Sequence, residues 1–465
     1  MKKLMGIIMS FFILLQSIVF AAPFNSQNVF NLIKELSNEK YRGRLSGDIG
    51  NELACDLVAE KFKRANLIPI GDNKTYFQSF YAFVPFINGK ASFKVYDSNK
   101  LIKEYVYGTD YKEVIYGLSI GGEVKGKIYS DDSKRGNIFI AIDRPFESNS
   151  TYDFDKELLS KGIKAIIYIS DNRMDFKSTY KFQNEYKEGL VKIVLDNKYF
   201  DEILKFQKKG YTFEIKSPLE FKKVKTKNVV AMKRALKKEG YPVIFTAHID
   251  HVGFDAINRI YPGALDNASG VAFLVELANF FKDKYTSRDI IFVAFNAEEE
   301  GLLGSYYFVN HPPVPLENAE CINFDMIGTK KDIPLTALKS VYSLNRSDSI
   351  DAFLNSHKLG RSYEDNSDHV PFNLKNISAV TFIHDDTDKI HTPYDTIENI
   401  SVNKINEAFL VVDDFLKARK VFIEKSEIIE NRYVVYILTS IFLIVFVLIY
   451  SNVLKKEKPY HKNRP

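Results

Sequence analysis

V-I-F-T-A-H-I-D-H-V-G-F-D-A-I-N-R-I-Y-P-G-A-L-D-N-A-S-G, residues 243–270, decides how this chain is read. Val243 to Ala247 is an apolar, β-branched run of strand length, the pattern of a buried strand. His248 and Asp250 then fall where that strand gives way to a loop. Asp266 follows a short loop later, ahead of Val271, Leu274, Val275 and Ala278 at helical spacing. A neutral imidazole with carboxylates at strand ends is a donor set that a divalent metal such as zinc accepts. Taken singly, each of these groups is more often a hydrogen-bonded loop residue or a helix cap. The metal reading therefore depends on what accompanies them.

Working outward, strands and helices alternate from about Asn228 to Arg419, which predicts a layered α/β sheet. Ile290 to Phe295 reads as a second buried strand and runs into N-A-E-E-E-G-L-L-G-S. Cys321 to Phe324 is a short strand ending at Asp325, in N-F-D-M-I-G. Ala379 to Ile383 ends near His384, and His391 opens H-T-P-Y-D-T-I-E-N-I. His248, Asp266, Glu299, Asp325 and His391 thus all fall at or just beyond the C-terminal ends of strands, or in the loops that follow. That edge is where open α/β sheets build their sites. If one of the carboxylates bridges, the set gives each of two zinc ions three protein ligands. An open fourth position marks catalytic rather than structural zinc.

The motifs H-I-D-H, G-A-L-D-N-A-S-G, A-E-E-E-G-L-L-G-S, F-D-M-I-G, S-D-H-V-P-F and H-T-P-Y-D-T-I-E-N occur in the order seen in a known family. They resemble the co-catalytic zinc exopeptidases that include bacterial leucyl aminopeptidase, aminopeptidase Y and glutamate carboxypeptidase. The N-terminal Y-R-G-R-L-S-G and L-I-P-I-G-D are similar to this family too. The resemblance implies a mixed β-sheet flanked by helices, of the phosphorylase/hydrolase-like type, and two zinc ions. It implies that Asp266 bridges them, that His248 and Asp325 hold one, and that Glu299 and His391 hold the other. It makes Glu298 the general base and gives Asp250 the task of orienting His248. Asp368 and His369 resemble a pair at the substrate end of the site. Ile390 stands where the family often has Tyr, and His384 and Asp385 where it often has Gly, which touches the pocket wall. His251 has no role that the family supplies and reads as a loop imidazole. Glu300 reads as a solvated helix residue.

The remaining features bound the setting. At 465 residues two or three domains are expected. The net charge of +5 is small and dispersed, so no nucleic-acid footprint is present. Cys55 and Cys321 make neither a disulfide framework nor a cysteine zinc site. Lys2 and Lys3 precede an apolar run from Leu4 to Phe20, followed by Ala21 and Ala22, which predicts a secretory signal over 1–22. Tyr433 to Leu454 is apolar, uncharged and long enough to span a bilayer. Lys455, Lys456, Lys458, Lys462 and Arg464 follow it and place the tail over 455–465 inside. The region between is then expected outside the cytoplasmic membrane.

Residues 23–75 read as two amphipathic helices with no strands of their own to cover, so they must pack on the zinc peptidase domain expected over 223–425. Residues 76–222 alternate short strand-like runs with turns and contain no His. The order G-N-I-F-I-A-I-D-R-P, K-E-L-L-S-K-G-I-K-A-I-I-Y-I and G-L-V-K-I-V-L-D resembles the protease-associated domain inserted in some secreted exopeptidases. An α+β insertion is expected there.

The leading expectation is a membrane-anchored aminopeptidase acting on peptides. A carboxypeptidase of the same chemistry is the alternative. An aminopeptidase needs carboxylates for the substrate ammonium, and Glu364 and Asp365 are candidates. A carboxypeptidase needs arginine, and Arg346 and Arg361 are candidates. A receptor-like module on a dead scaffold would have lost ligands, and none is missing. The full two-zinc ligand set argues against a single-zinc glutaminyl cyclase.

Overall fold

A computed structural model describes residues 23–130, 135–142, 149–171, 174–181, 183–344, 349–357, 359–423 and 440–441. Four parallel strands form the middle of the main sheet, in the spatial order Ile290–Phe295, Val243–His248, Glu320–Asp325, Ser378–Ile383. Every residue of the first three is buried. Ile290–Phe295 is continuously apolar and Val243–His248 nearly so because both faces of the sheet are covered, whereas Glu320–Asp325 also buries Glu320, Asn323 and Asp325. Val243, Phe245 and Ala247 point to one face, with the helices Ser26–Leu36, Ile49–Arg64, Gly270–Phe281 and Val402–Ala418. Ile244 points to the other, against Phe308 of Leu303–Asn310 and Phe372 of His369–Leu374. The two N-terminal helices do pack on the later part of the chain, chiefly against Gly270–Phe281 and the sheet.

The chain leaves Val243–His248 toward Ile290–Phe295 on one side, then returns to Glu320–Asp325 on the other. The strand that ends at His248 is thus the point where the order reverses, and open α/β sheets place their ligands there.

Residues between the arms Phe77–Ile87 and Leu219–Lys233 form further sheets beyond the main one. The arms pair antiparallel over Phe77–Ile87 and Leu219–Val229, and the end of the second joins the main sheet through Val229–Lys233 against Ile290–Ala294. Beyond them lie two four-stranded sheets. One is antiparallel, built from Lys100–Tyr105, Ser92–Asp97, Thr212–Ser217 and Gly122–Gly126. The other contains Ile138–Ile142, Ala165–Ser170 and Val191–Asp196 in parallel, edged by Tyr111–Glu113. A helix, Asn149–Ser160, lies between the first two of these parallel strands.

The expected leader over 1–22, and all but residues 440–441 of the expected span over 433–454, lie outside the described residues. Among the described residues no helix is long and apolar enough to cross a membrane. Cys55 and Cys321 are both free. They sit in the cores on opposite faces of the sheet, so they cannot pair.

Candidate active site

His248 is the last residue of its strand, and its Nε2 lies 3.4 Å from Asp325 Oδ1 and 3.5 Å from Asp266 Oδ1. The other oxygen of Asp266 faces away from His248: Oδ2 lies 3.1 Å from His391 Nε2. His391 Nε2 is also 3.1 Å from Glu299 Oε1. Two donor clusters therefore meet at one carboxylate. Glu298 belongs with His248 and Asp325, while Glu299 belongs with Asp266, His391 and His251. Imidazole nitrogens and carboxylate oxygens at these separations fit zinc, and neither cluster contains the thiolates of a closed structural site.

The electrostatics point the same way. Asp250, Asp266, Glu298, Glu299, Asp325 and Asp368 are all buried. Burial, reinforced by the Glu299, Asp368 and Asp325 carboxylates, holds Glu298 well above the usual carboxyl range despite His248 nearby. Burial also pushes Glu299 up, but His391 and His251 outweigh it and hold that group well below its usual value. Asp368 is pushed up to about 7, first by burial and then by Asp250 and Asp325. Buried negative charge on this scale is relieved either by protonation or by a compensating cation.

Residues distant in sequence hold these groups in place. Arg44 is fully buried and donates to the carbonyls of Leu36, Ile249, Pro262 and Gly263, clamping the loops on either side of His251. Gly43 has φ +66°, and a Cβ there would meet Gly253 O at 2.2 Å, so only glycine lets the two loops approach. Asp395 accepts from the backbone N–H of both Leu265 and Asp266 at 2.9 Å. Ser367 donates to Asp325 Oδ2 at 2.8 Å, and Asn323 donates to Ser367. Asp250 Oδ2 accepts from the Glu299 amide at 3.1 Å, while its Oδ1 lies 3.9 Å from His248 Nδ1.

The insertion reaches the site as well. Lys177, fully buried, donates to Val252 O at 2.6 Å and Phe254 O at 2.7 Å. Its backbone N–H donates to His391 O at 2.9 Å. The Phe176 ring stacks on the His391 imidazole, with centroids 5.7 Å apart and planes 25° from parallel.

The structure thus brings together His248, Asp266, Glu298, Glu299, Asp325 and His391, with Asp250 behind Glu299. Asp368 lies close enough to raise Glu298 and accepts from Ser305. His369 does not face the cluster. Its Nδ1 meets Thr381 Oγ1 at 2.8 Å and its Nε2 meets Glu364 O at 3.1 Å, so both nitrogens are used to fix the loop that carries Ser367 and Asp368. Glu300 is buried rather than solvated and accepts from Ser46 at 2.9 Å. The three glutamates lie in a turn before Leu303–Asn310, not on a helix, so a solvated helix face is not available to them. His251 lies in a loop, as expected, but is a buried member of the cluster. Arg44, Ser367 and Asp395 lie inside motifs that were legible, Y-R-G-R, S-D-H and H-T-P-Y-D. Phe176 and Lys177 carry no local signal.

A layered α/β sheet thus carries, at its switch point, paired His and carboxylate clusters that could hold metal ions. Residues 228–416 match the model of Peptidase family M28. Aminopeptidase YwaD of Bacillus subtilis is 30% identical over 272 residues, 55% of this chain and 57% of that protein. The chain therefore spans little more than half the length of that relative. Among solved structures, an aminopeptidase from Aneurinibacillus sp. strain AM-1 superimposes with a TM-score of 0.63 at 22% identity, over 85% of this chain and 94% of that one. BSAP, a zinc aminopeptidase from Bacillus subtilis, gives 0.61 at 21% identity, over 87% and 97%. At these identities the superpositions speak for the fold.

Proposed function

We propose that the chain is a two-zinc aminopeptidase that removes N-terminal residues from peptides. The observation that carries this reading is Asp266, whose two oxygens face two separate donor clusters, one of which contains Glu298. Asp266 would bridge, with His248 and Asp325 on one ion and Glu299 and His391 on the other. Zinc bound there polarises the scissile carbonyl and acidifies water. Glu298, its proton affinity raised by burial, takes the water's proton at its carboxylate and returns it to the leaving amine. Asp250 holds the Glu299 backbone, and Ser367 and Asp395 hold Asp325 and Asp266.

Carboxylates at the mouth favour a substrate ammonium. Asp385 is exposed there, and its pKa is raised by partial burial and by Glu364 and Asp325. Asp365 is less suited, because it accepts from Ser340 and the Val341 amide. For a carboxypeptidase, Arg361 would have to leave Asp351 and Asn355, and Arg346 lies outside the described residues. The test is a panel of peptides with free and acetylated N termini offered to the zinc-loaded protein. Stepwise release from the free N terminus alone is expected. Equal cleavage of the blocked peptides, or release from the C terminus, would exclude the aminopeptidase reading.

The apolar 1–22 and 433–454 segments and the basic tail support a chain anchored by one C-terminal span, with residues 23–425 outside the cytoplasm. Protease added to intact spheroplasts is expected to remove the catalytic region, and full protection would sink this topology. The three parallel strands of the insertion, with a helix between the first two, support its protease-associated-like reading.

A further inference from the structure

The two donor clusters differ in how completely protein atoms close them. His251 is fully buried, and its Nδ1 lies 3.2 Å from Glu299 Oε1 and 3.5 Å from Asp266 Oδ2. Those are the two oxygens that each lie 3.1 Å from His391 Nε2. Zn–N bonds of about 2.0–2.1 Å and Zn–O bonds of about 2.0–2.2 Å place any two ligands of a tetrahedron about 3.3–3.5 Å apart. The His251–Asp266 separation of 3.5 Å has that size, and the other three, at 3.1–3.2 Å, lie just below it. A hydrogen bond from His251 needs one acceptor, yet Nδ1 approaches two carboxylates at once. The His251 and His391 ring centroids are 5.5 Å apart with planes at 71°, so the imidazoles converge on a common point rather than stack. The backbone is cleared for the ring: Gly263 has φ +57°, and a Cβ there would meet His251 Cδ2 at 2.6 Å.

We propose that His251 Nδ1 is a fourth protein ligand of the zinc site formed by Asp266, Glu299 and His391. That site is then closed by protein, whereas the site of His248, Asp325 and Asp266 keeps its open position beside Glu298. The proposal rests on the two-zinc reading above. It makes the ions inequivalent: a closed one that binds tightly and holds the bridge in place, and an open one where water and substrate enter. A closed tetrahedron is the arrangement of structural zinc, and an open one that of catalytic zinc.

The full chain, stripped with chelator and reloaded with one equivalent of zinc, provides the test. Zinc K-edge X-ray absorption is expected to show two imidazoles on that ion, from His251 and His391. One imidazole would overturn the proposal, whichever site had filled. Chelator competition then separates ligation from hydrogen bonding. Loss of an outer-shell partner costs about 10–100-fold in affinity, so a ligand should cost more than about 100-fold. His251→Ala and His251→Gln should both weaken the tight site by that larger factor. Wild-type affinity in His251→Gln, where the amide can still donate to Glu299, would show that the ring only positions. A chain that takes up no zinc at all fails the zinc reading itself. Zinc held through one imidazole leaves that reading standing and removes only the role of His251.

Discussion

Both halves of this molecule bury charge, but they treat it differently. In the insertion, Lys192 and Asp155 have no exposed side-chain surface and pair with each other. The Lys192 ammonium also donates to Tyr116 O, and Asp155 accepts from the Leu118 amide. In the part built on the parallel strands, six carboxylates face imidazoles and one another at the strand ends. Arg44, the guanidinium buried beside them, is committed to four backbone carbonyls. Charge compensated inside the protein is structure. Charge left for an outside cation is the mark of a site.

The largest effect should come from the pair of adjacent glutamates. Glu298→Gln should keep its zinc and lose about 10²–10⁴-fold in kcat, while Glu299→Ala should lose zinc together with activity. Metal analysis and turnover on the two proteins side by side decide it. Near-normal turnover in Glu298→Gln would break the mechanism even with zinc in place. Next comes the insertion's own pair. Asp155→Ala leaves a buried ammonium unpaired, which costs about 3–5 kcal/mol, read by urea unfolding, with zinc content unchanged. If zinc is lost as well, the division between the two kinds of buried charge does not hold.

Chelation should act in the opposite pattern, destabilising the part built on the parallel strands without touching Lys192 and Asp155. Free zinc at 100 times its Kd contributes about 2.7 kcal/mol for each site. The thermal midpoint should therefore fall on chelation and return on reloading, and an unmoved midpoint would mean that the carboxylates need no cation.

Smaller effects sharpen the contact between the halves. Lys177→Met removes two charged hydrogen bonds to the 252–254 loop, each worth about 1.5–3 kcal/mol at most. Its kcat/KM should fall roughly tenfold although no ligand is altered. Phe176→Ala loses a ring contact worth about 0.5–1.5 kcal/mol, or roughly 2- to 10-fold in kcat/KM. Unchanged kinetics in both variants would make the insertion a neighbour of the site rather than a part of its wall.

Much of the architecture was legible in the chain itself. Val243–His248 and Ile290–Phe295 announce themselves because strands covered on both faces are largely apolar, while in Glu320–Asp325 only Cys321, Ile322 and Phe324 carry that signal. The metal-type residues follow such runs directly, so His248, Asp266, Glu299, Asp325 and His391 could be gathered from local pattern and order. What sequence could not decide was which neighbours of those residues are buried with them. His251 and Glu300 look like ordinary loop and helix polar groups until Arg44, 205 residues from the Ile249 carbonyl it holds, and Ser46, 254 residues from Glu300, close over them. His369 was misplaced for the same reason: its partner Thr381 lies on the next strand, and only the packed helix turns both ring nitrogens inward. Lys177 and Phe176 gained their place by docking of the insertion on the 252–254 loop and His391. Local periodicity sets strands and motifs, because each residue's neighbours along the chain determine them. Burial and hydrogen-bond partners are set by residues far away in sequence, and only the folded chain brings those together.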